Sequence, residues 1–243
     1  MIDDYFSKVQ ELLDQIKNEQ RHLLKEVAVK AANSIENNGI IQLFGAGHSH
    51  IFGEEVFYRA GGLVPVKPIL EEDIMLHRGA VRSSMFERSN DYAAEFVKKL
   101  EIEKQDLVIV SSTSGRNAVP VETAIYAKKH GACVAALTSI AYSSSQESRH
   151  QSGKRLYEVA DITIDNLSVK GDAVLSHPGV DVPFAPTSTV TGACIINSII
   201  AETIGILGER GVKAPVFLSG NLDGADEHND KLIKQYKDRI PML

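Results

Sequence analysis

Phe44-Gly45-Ala46-Gly47-His48-Ser49 and Ser111-Ser112-Thr113-Ser114-Gly115-Arg116-Asn117 are the two stretches on which the reading of this chain turns. Each follows an apolar, β-branched segment and precedes residues with helical periodicity, so each marks a strand handing over to a helix. The first N–H groups of a helix have no intrahelical partner, and the positive end of its dipole faces outward. Glycine lets the backbone approach a ligand closely, and serine hydroxyls add neutral donors. Such junctions hold phosphate with little fixed positive charge. Two of them predict one anion gripped by both loops, or two subsites.

Outward from these loops, strand and helix alternate. Strand patterns fall at Ile40 to Phe44, Leu63 to Lys67, Asp106 to Ser111, Cys133 to Thr138, Asp161 to Ile164 and Pro215 to Ser219. Helical patterns fall at about 49–61, 90–101, 118–130, 188–208 and 226–238. The central strands are continuous apolar runs, which predicts a parallel sheet covered by helices on both faces. Residues 1–37 form an N-terminal helical segment: Phe6, Val9, Leu12, Leu13, Ile16, Leu23, Leu24, Val27, Ala28, Ala31 and Ile35 share one face, and Asn37-Asn38-Gly39 ends it. A helix of that length needs a surface to cover, on the body of the protein and on a second subunit. No linker or repeat divides the chain, so residues 1–243 are read as a single domain. Residues 70–89 and 166–187 break the pattern and read as long loops, both candidate lids.

The net charge of −6 argues against generic binding of nucleic acid or of an anionic membrane, so any anion site must be local. Cys133 and Cys194 lie in apolar runs without metal-like spacing and read as reduced core thiols of a cytoplasmic protein. No basic segment leads into an apolar core at the start of the chain. The greasy stretch from Ala193 to Leu207 includes Asn197, Ser198, Glu202 and Thr203 and reads as a buried helix. A dinucleotide fingerprint would need glycine where His50 stands, and no Gly-Lys-Ser/Thr phosphate loop occurs.

Gly45-Ala46-Gly47-His48-Ser49, Ser112-Thr113-Ser114-Gly115-Arg116-Asn117 and the strand-ending Leu137-Thr138-Ser139 resemble the sugar isomerase (SIS) family of phosphosugar-binding domains over roughly residues 5–210. The resemblance implies a flavodoxin-like three-layer α/β/α sandwich with a central parallel sheet. It also implies that Gly47, Ser49, Ser112, Ser114 and Asn117 hold the phosphate of a small sugar phosphate, in a homodimer or homotetramer. Among similar small proteins are the phosphoheptose isomerases and the N-acetylmuramic acid 6-phosphate etherases, and the chain departs from both where chemistry would sit. In an ungapped alignment the isomerases' His and Glu of the first-loop helix become Glu55 and Arg59, and their late-helix Gln and His become Val190 and Ser198. The etherases also carry Glu where Arg59 stands. The isomerase metal site is therefore expected to be absent, and no organic cofactor is implied.

Moving a proton between adjacent carbons needs a base. Glu55, early in the first-loop helix, is the candidate, against the reading of a solvated surface glutamate. His48 in the loop can serve as acid–base, the role histidine suits near neutral pH, or hydrogen-bond a sugar hydroxyl, while His50 is expected to turn away. Arg59 either holds an anion, such as a substrate carboxylate, or pairs with Glu55 one turn away. Ser188 and Thr189 are expected to cap the late helix, and Ser188 is a candidate substrate contact. The favoured function is aldose–ketose isomerisation of a sugar phosphate. The alternatives are etherase-type lyase chemistry and a phosphosugar-binding regulator without catalysis.

Overall fold

The computed structural model describes residues 1–243. The leading segment is two helices, α1 (Ile2–Glu19) and α2 (Arg21–Glu36), where the sequence predicted one. The break at Gln20 lets α2 bury Val27, Ala28, Ala31, Ala32 and Ile35, whereas α1 buries Ile16 alone. The Gln20 side chain accepts the N–H of Asp165 across the fold, a contact that helical periodicity does not register.

Five parallel strands form the central sheet: β1 (Ile41–Gly45), β2 (Val66–Ile69), β3 (Leu107–Ser111), β4 (Cys133–Thr138) and β5 (Ile162–Asp165), in the order β2-β1-β3-β4-β5. β1 and β3 are buried along their whole length, as expected for a sheet with two covered faces. Alternate side chains go to opposite layers. Ile41, Leu43, Leu107, Ile109, Ala135 and Leu137 pack with α2, with α3 (Ile51–Val56) and with α8 (Ser188–Glu209). Phe44, Val108, Val110, Val134 and Ala136 pack with α5 (Asn90–Val97) and α6 (Ala118–Lys129). This is the three-layer α/β/α sandwich that the sequence predicted. α8 is long and apolar enough to cross a membrane by length and composition, but half of it is buried in the protein. Gly192 gives α3 its seat on α8, since a Cβ there would lie 2.4 Å from the Phe52 ring.

Several expectations need correction, among them the core placement of the cysteines, since Cys133 is half-buried and Cys194 lies on an exposed face of α8. Residues 70–89 are not a loop: two single 3₁₀ turns at Glu72–Ile74 and Leu76–Arg78 lead into α4 (Ala80–Arg88). Ser83 is the buried residue of α4, and its hydroxyl donates to Ile74 O, so no apolar stripe announces the helix. Residues 166–187 contain an exposed hairpin of β6 (Leu175–His177) and β7 (Val180–Phe184). The second strand begins at Val66 rather than Leu63, and Pro215 to Ser219 contributes only an isolated antiparallel bridge between Val216 and Leu63. There Asn229, on the C-terminal helix α9 (Ala225–Tyr236), satisfies both backbone groups of Leu218 and replaces a strand neighbour. α3 stops at Val56, where the sequence pattern ran on to residue 61.

Candidate functional site

In the sheet order, β1 has β2 on one side and β3 on the other, so the chain leaves the carboxyl ends of β1 and β3 beside each other. Open α/β sheets bind ligands at such a point. Gly45 and Ser111 are register partners at the ends of these strands, and the two Gly/Ser loops therefore start side by side.

The loops share a backbone device. Gly47 and Gly115 both have φ +56, the left-handed conformation that bends the chain from strand into helix. In the first loop a 3₁₀ turn over Gly47–His50 leads directly into α3. Ser49 is half-buried, its N–H is bound to Ala46 O, and its hydroxyl makes no hydrogen bond within the chain. His48 is exposed at the mouth. His50 turns away, as expected, and is 96% buried, with Nδ1 3.3 Å from Gly47 O and Nε2 unpartnered. Burial pushes its pKa below the usual histidine range, against the pull of the Gly47 carbonyl and Glu71.

In the second loop the buried Ser112 hydroxyl accepts the N–H of Gly115 at 3.3 Å, which leaves its own O–H to donate. The Ser114 hydroxyl makes no bond within the chain, and the N–H groups of Thr113, Ser114, Arg116 and Asn117 have no internal partner. Consecutive free N–H groups before a helix make an anion-binding concavity. The strand end Thr138-Ser139 braces this loop: Thr138 Oγ1 and Ser139 N–H both donate to Thr113 O. Ser139 also caps α7 (Ile140–Ser144) by accepting from Tyr142 N–H.

Asn117 precedes α6 without capping it through its side chain. Its Oδ1 accepts from Arg149 Nη1 at 2.9 Å, and its side chain also hydrogen-bonds Glu87. Burial pushes the Glu87 carboxyl above the usual range, against the Asn117 bond and the nearby Arg88 and Arg149. Glu87, Arg88 and Arg149 were missed in the sequence. They come from the end of α4 and from the segment between α7 and β5, and no local pattern links them to the loop.

The other candidates lie in separate networks. Glu55 bonds Arg59 Nη1 at 3.0 Å and accepts from Asn197 Nδ2 of α8 at 3.1 Å, so Arg59 takes the i,i+4 partner foreseen as its alternative. Ser188 opens α8, but the helix is capped by Asp172, whose carboxylate accepts the N–H groups of Thr187 and Ser188 and the Ser188 hydroxyl. The expected capping by Ser188 and Thr189 is thus corrected, because a carboxylate suits a helix N-terminus better than a hydroxyl. No three His, Cys, Asp or Glu side chains cluster in a way that could hold a metal ion.

The SIS domain profile matches residues 4–139. A UPF0309 protein of Geobacillus thermodenitrificans is 57% identical over 243 residues, covering 100% of this chain and 98% of that protein. Among solved structures, a phosphoheptose isomerase from Francisella tularensis superposes with a TM-score of 0.54 at 16% identity, over 83% of this chain and 95% of that one. The Vibrio vulnificus NanR protein complexed with ManNAc-6P gives 0.51 at 17% identity, over 100% of this chain and 69% of that one. At these identities the two structures speak for the fold alone.

Proposed function

The chain belongs to the SIS domain family, and from that premise we propose that it binds a sugar phosphate in the crevice between residues 46–49 and 112–117 and interconverts its aldose and ketose forms. The observation that carries this reading is the pairing of two left-handed glycines, Gly47 and Gly115, at the ends of the adjacent strands β1 and β3. The phosphate would lie against the free N–H groups of the second loop and the hydroxyls of Ser49, Ser112 and Ser114, with the remaining amide N–H of Asn117 beside it. Each hydrogen bond to a charged group is worth about 1.5–3 kcal/mol, so a few such donors give useful affinity without a cation.

In the isomerisation a base takes the proton from the carbon next to the aldose carbonyl. The enediol that forms receives a proton at the former carbonyl carbon, and a second group moves a proton between the two oxygens. His48 at the loop mouth and Glu55 on α3 are the groups proposed for these transfers. Glu55 would have to work from within its contacts with Arg59 and Asn197, which orient it and also restrain it.

That restraint favours a second reading, a phosphosugar-binding regulator without turnover. The NanR protein, whose structure holds ManNAc-6P, is in keeping with it. We further propose a homo-oligomer in which a second copy covers the apolar groove of about 400 Å³ between α1, α2 and α8, lined by Leu13, Ile16, Leu24 and Ile195. A thermal-shift screen of sugar phosphates against their unphosphorylated parents and inorganic phosphate tests the binding, because a ligand of the native state stabilises it. A rise confined to phosphosugars supports the site. No rise with any of them refutes it. Proton exchange of the ligand in deuterated buffer then separates enzyme from regulator.

A further inference from the structure

Ten arginines occur in the chain. Arg59, Arg78, Arg82, Arg155, Arg210 and Arg239 each pair with a carboxylate. Of the four that do not, Arg88, Arg116 and Arg149 come from segments that meet beside Asn117: Arg149 donates to Asn117 Oδ1, and its backbone carbonyl accepts from Asn90, two residues beyond Arg88; burial first, then Arg116 and Arg88, weaken the hold of Arg149 on its proton. Three like charges in one place, in a chain of net charge −6, cost free energy unless something else offsets them.

The cluster is held by neutral acceptors. Arg149 Nη1 donates to Asn117 Oδ1, and its backbone N–H donates to Arg116 O at 2.8 Å. Arg116 Nε donates to Glu147 O at 2.7 Å and its Nη1 to Gln146 Oε1 at 3.1 Å. Arg88, at the end of α4, makes no side-chain hydrogen bond or salt bridge in the chain and is exposed. Glu87 is the acidic group facing the cluster, and burial pushes its carboxyl above the usual range, against Arg88 and Arg149. No carboxylate pairs with any of the three, neutral acceptors orient Arg116 and Arg149, and free guanidinium donors remain, which suits them to a carboxylate or phosphate.

These side chains do not belong to the cradle itself. Arg116 reaches from its loop toward residues 146 and 147, and Arg149 donates to the side-chain amide oxygen of Asn117. The backbone and serine donors of the loops are left for one anion, and the arginines for another.

We propose that Arg88, Arg116 and Arg149 form a second anion subsite, and that the ligand is a sugar phosphate carrying a second anionic group, either a carboxylate or another phosphate. This rests on the phosphosugar reading and narrows it. Calorimetric titration of the full chain with fructose 6-phosphate, fructose 1,6-bisphosphate and 6-phosphogluconate tests it, repeated on Arg88→Gln and Arg116→Gln. Arg88→Gln removes no internal contact, so it keeps the test open if Arg116→Gln loosens the loop.

At least one doubly anionic probe is expected to bind about tenfold or more tightly than fructose 6-phosphate; both variants are expected to erase that advantage, and Arg88→Gln to leave the monophosphate unchanged. Which probe gains identifies the second group as phosphate or carboxylate. Equal binding of all three probes to the unmodified chain overturns the second subsite and leaves the phosphosugar reading intact. An equal loss for every probe in Arg88→Gln also overturns it, by assigning the arginines to the single phosphate. Binding of none of the probes overturns both readings.

Discussion

Gly47 and Gly115 lie 68 residues apart in the chain and share one backbone conformation, φ +56, just past the ends of neighbouring strands. The two positions differ in their surroundings. A Cβ on Gly47 would meet only Leu76 Cδ2, at 3.8 Å, whereas one on Gly115 would lie 2.7 Å from Thr138 Oγ1 and 2.8 Å from Ser143 Oγ. The second loop is the more tightly built of the two.

Gly115→Ala therefore combines backbone strain with a clash. Left-handed backbone at a non-glycine residue costs about 1–3 kcal/mol, and in a chain of this size each kcal/mol lowers Tm by about 2–4 °C. Gly211, with φ +72 and nothing within 4 Å, serves as the control for strain alone. Gly115→Ala should melt lower than Gly211→Ala by thermal denaturation. Equal melting would show that the brace from Thr138 and Ser143 does not confine the loop.

Ser112→Ala and Ser114→Ala should weaken phosphosugar binding to different degrees of collateral damage. Ser114 has no internal hydrogen bond, so its loss should raise Kd about tenfold and leave Tm unchanged. Ser112 also accepts from Gly115 N–H, so its loss should raise Kd and lower Tm together. Calorimetry and melting on the same samples check this. An unchanged Kd in the double variant would remove the second loop from the site.

His48→Ala and Glu55→Gln should each reduce turnover about a hundredfold or more while the ligand still binds, if the two groups carry the protons. Glu55→Gln keeps an acceptor for Asn197 but loses the charge facing Arg59. Turnover at the unmodified rate in both variants would strip them of these roles. A phosphosugar that binds and never turns over would favour the regulator.

Glu87 supplies a pH dependence. Its carboxyl pKa is raised in the folded chain, with Asn117, Arg88 and Arg149 facing it, so the folded state keeps a proton that the unfolded state has already released. The stability this gives is fully present below the ordinary carboxyl range and is lost as pH rises through the folded pKa. Glu87→Gln cannot ionise. It should melt above the unmodified chain near pH 7 and match it near pH 4. Equal melting at both pH values would mean that Glu87 ionises freely in the fold.

β3 and β4 were legible because each is a continuous apolar run ended by Ser or Thr, and β1 because it is apolar but for Gln42 and ends in Gly, a pattern that arises when a strand is covered on both faces and then turns. α4 and the β6–β7 hairpin were not. α4 is held by the Ser83 contact to Ile74 and the hairpin by its own pairing, and neither leaves an apolar period to read. The same division runs through the site. Ser49, Ser112 and Ser114 could be named from their loops, because a glycine turn before a helix is a local feature.

What the sequence by itself determined is the kind of junction: buried strand, glycine, serine donors, helix, twice over. Only the tertiary structure decided that β1 and β3 are neighbours with Gly45 opposite Ser111, that Glu55 is engaged by Arg59 and Asn197, and that Arg149 reaches Asn117 across 32 residues of chain. Strand order, and contacts between side chains on different elements, are set by how whole layers pack. Hydrophobic periodicity records which face of an element is buried, and says nothing about which neighbour buries it.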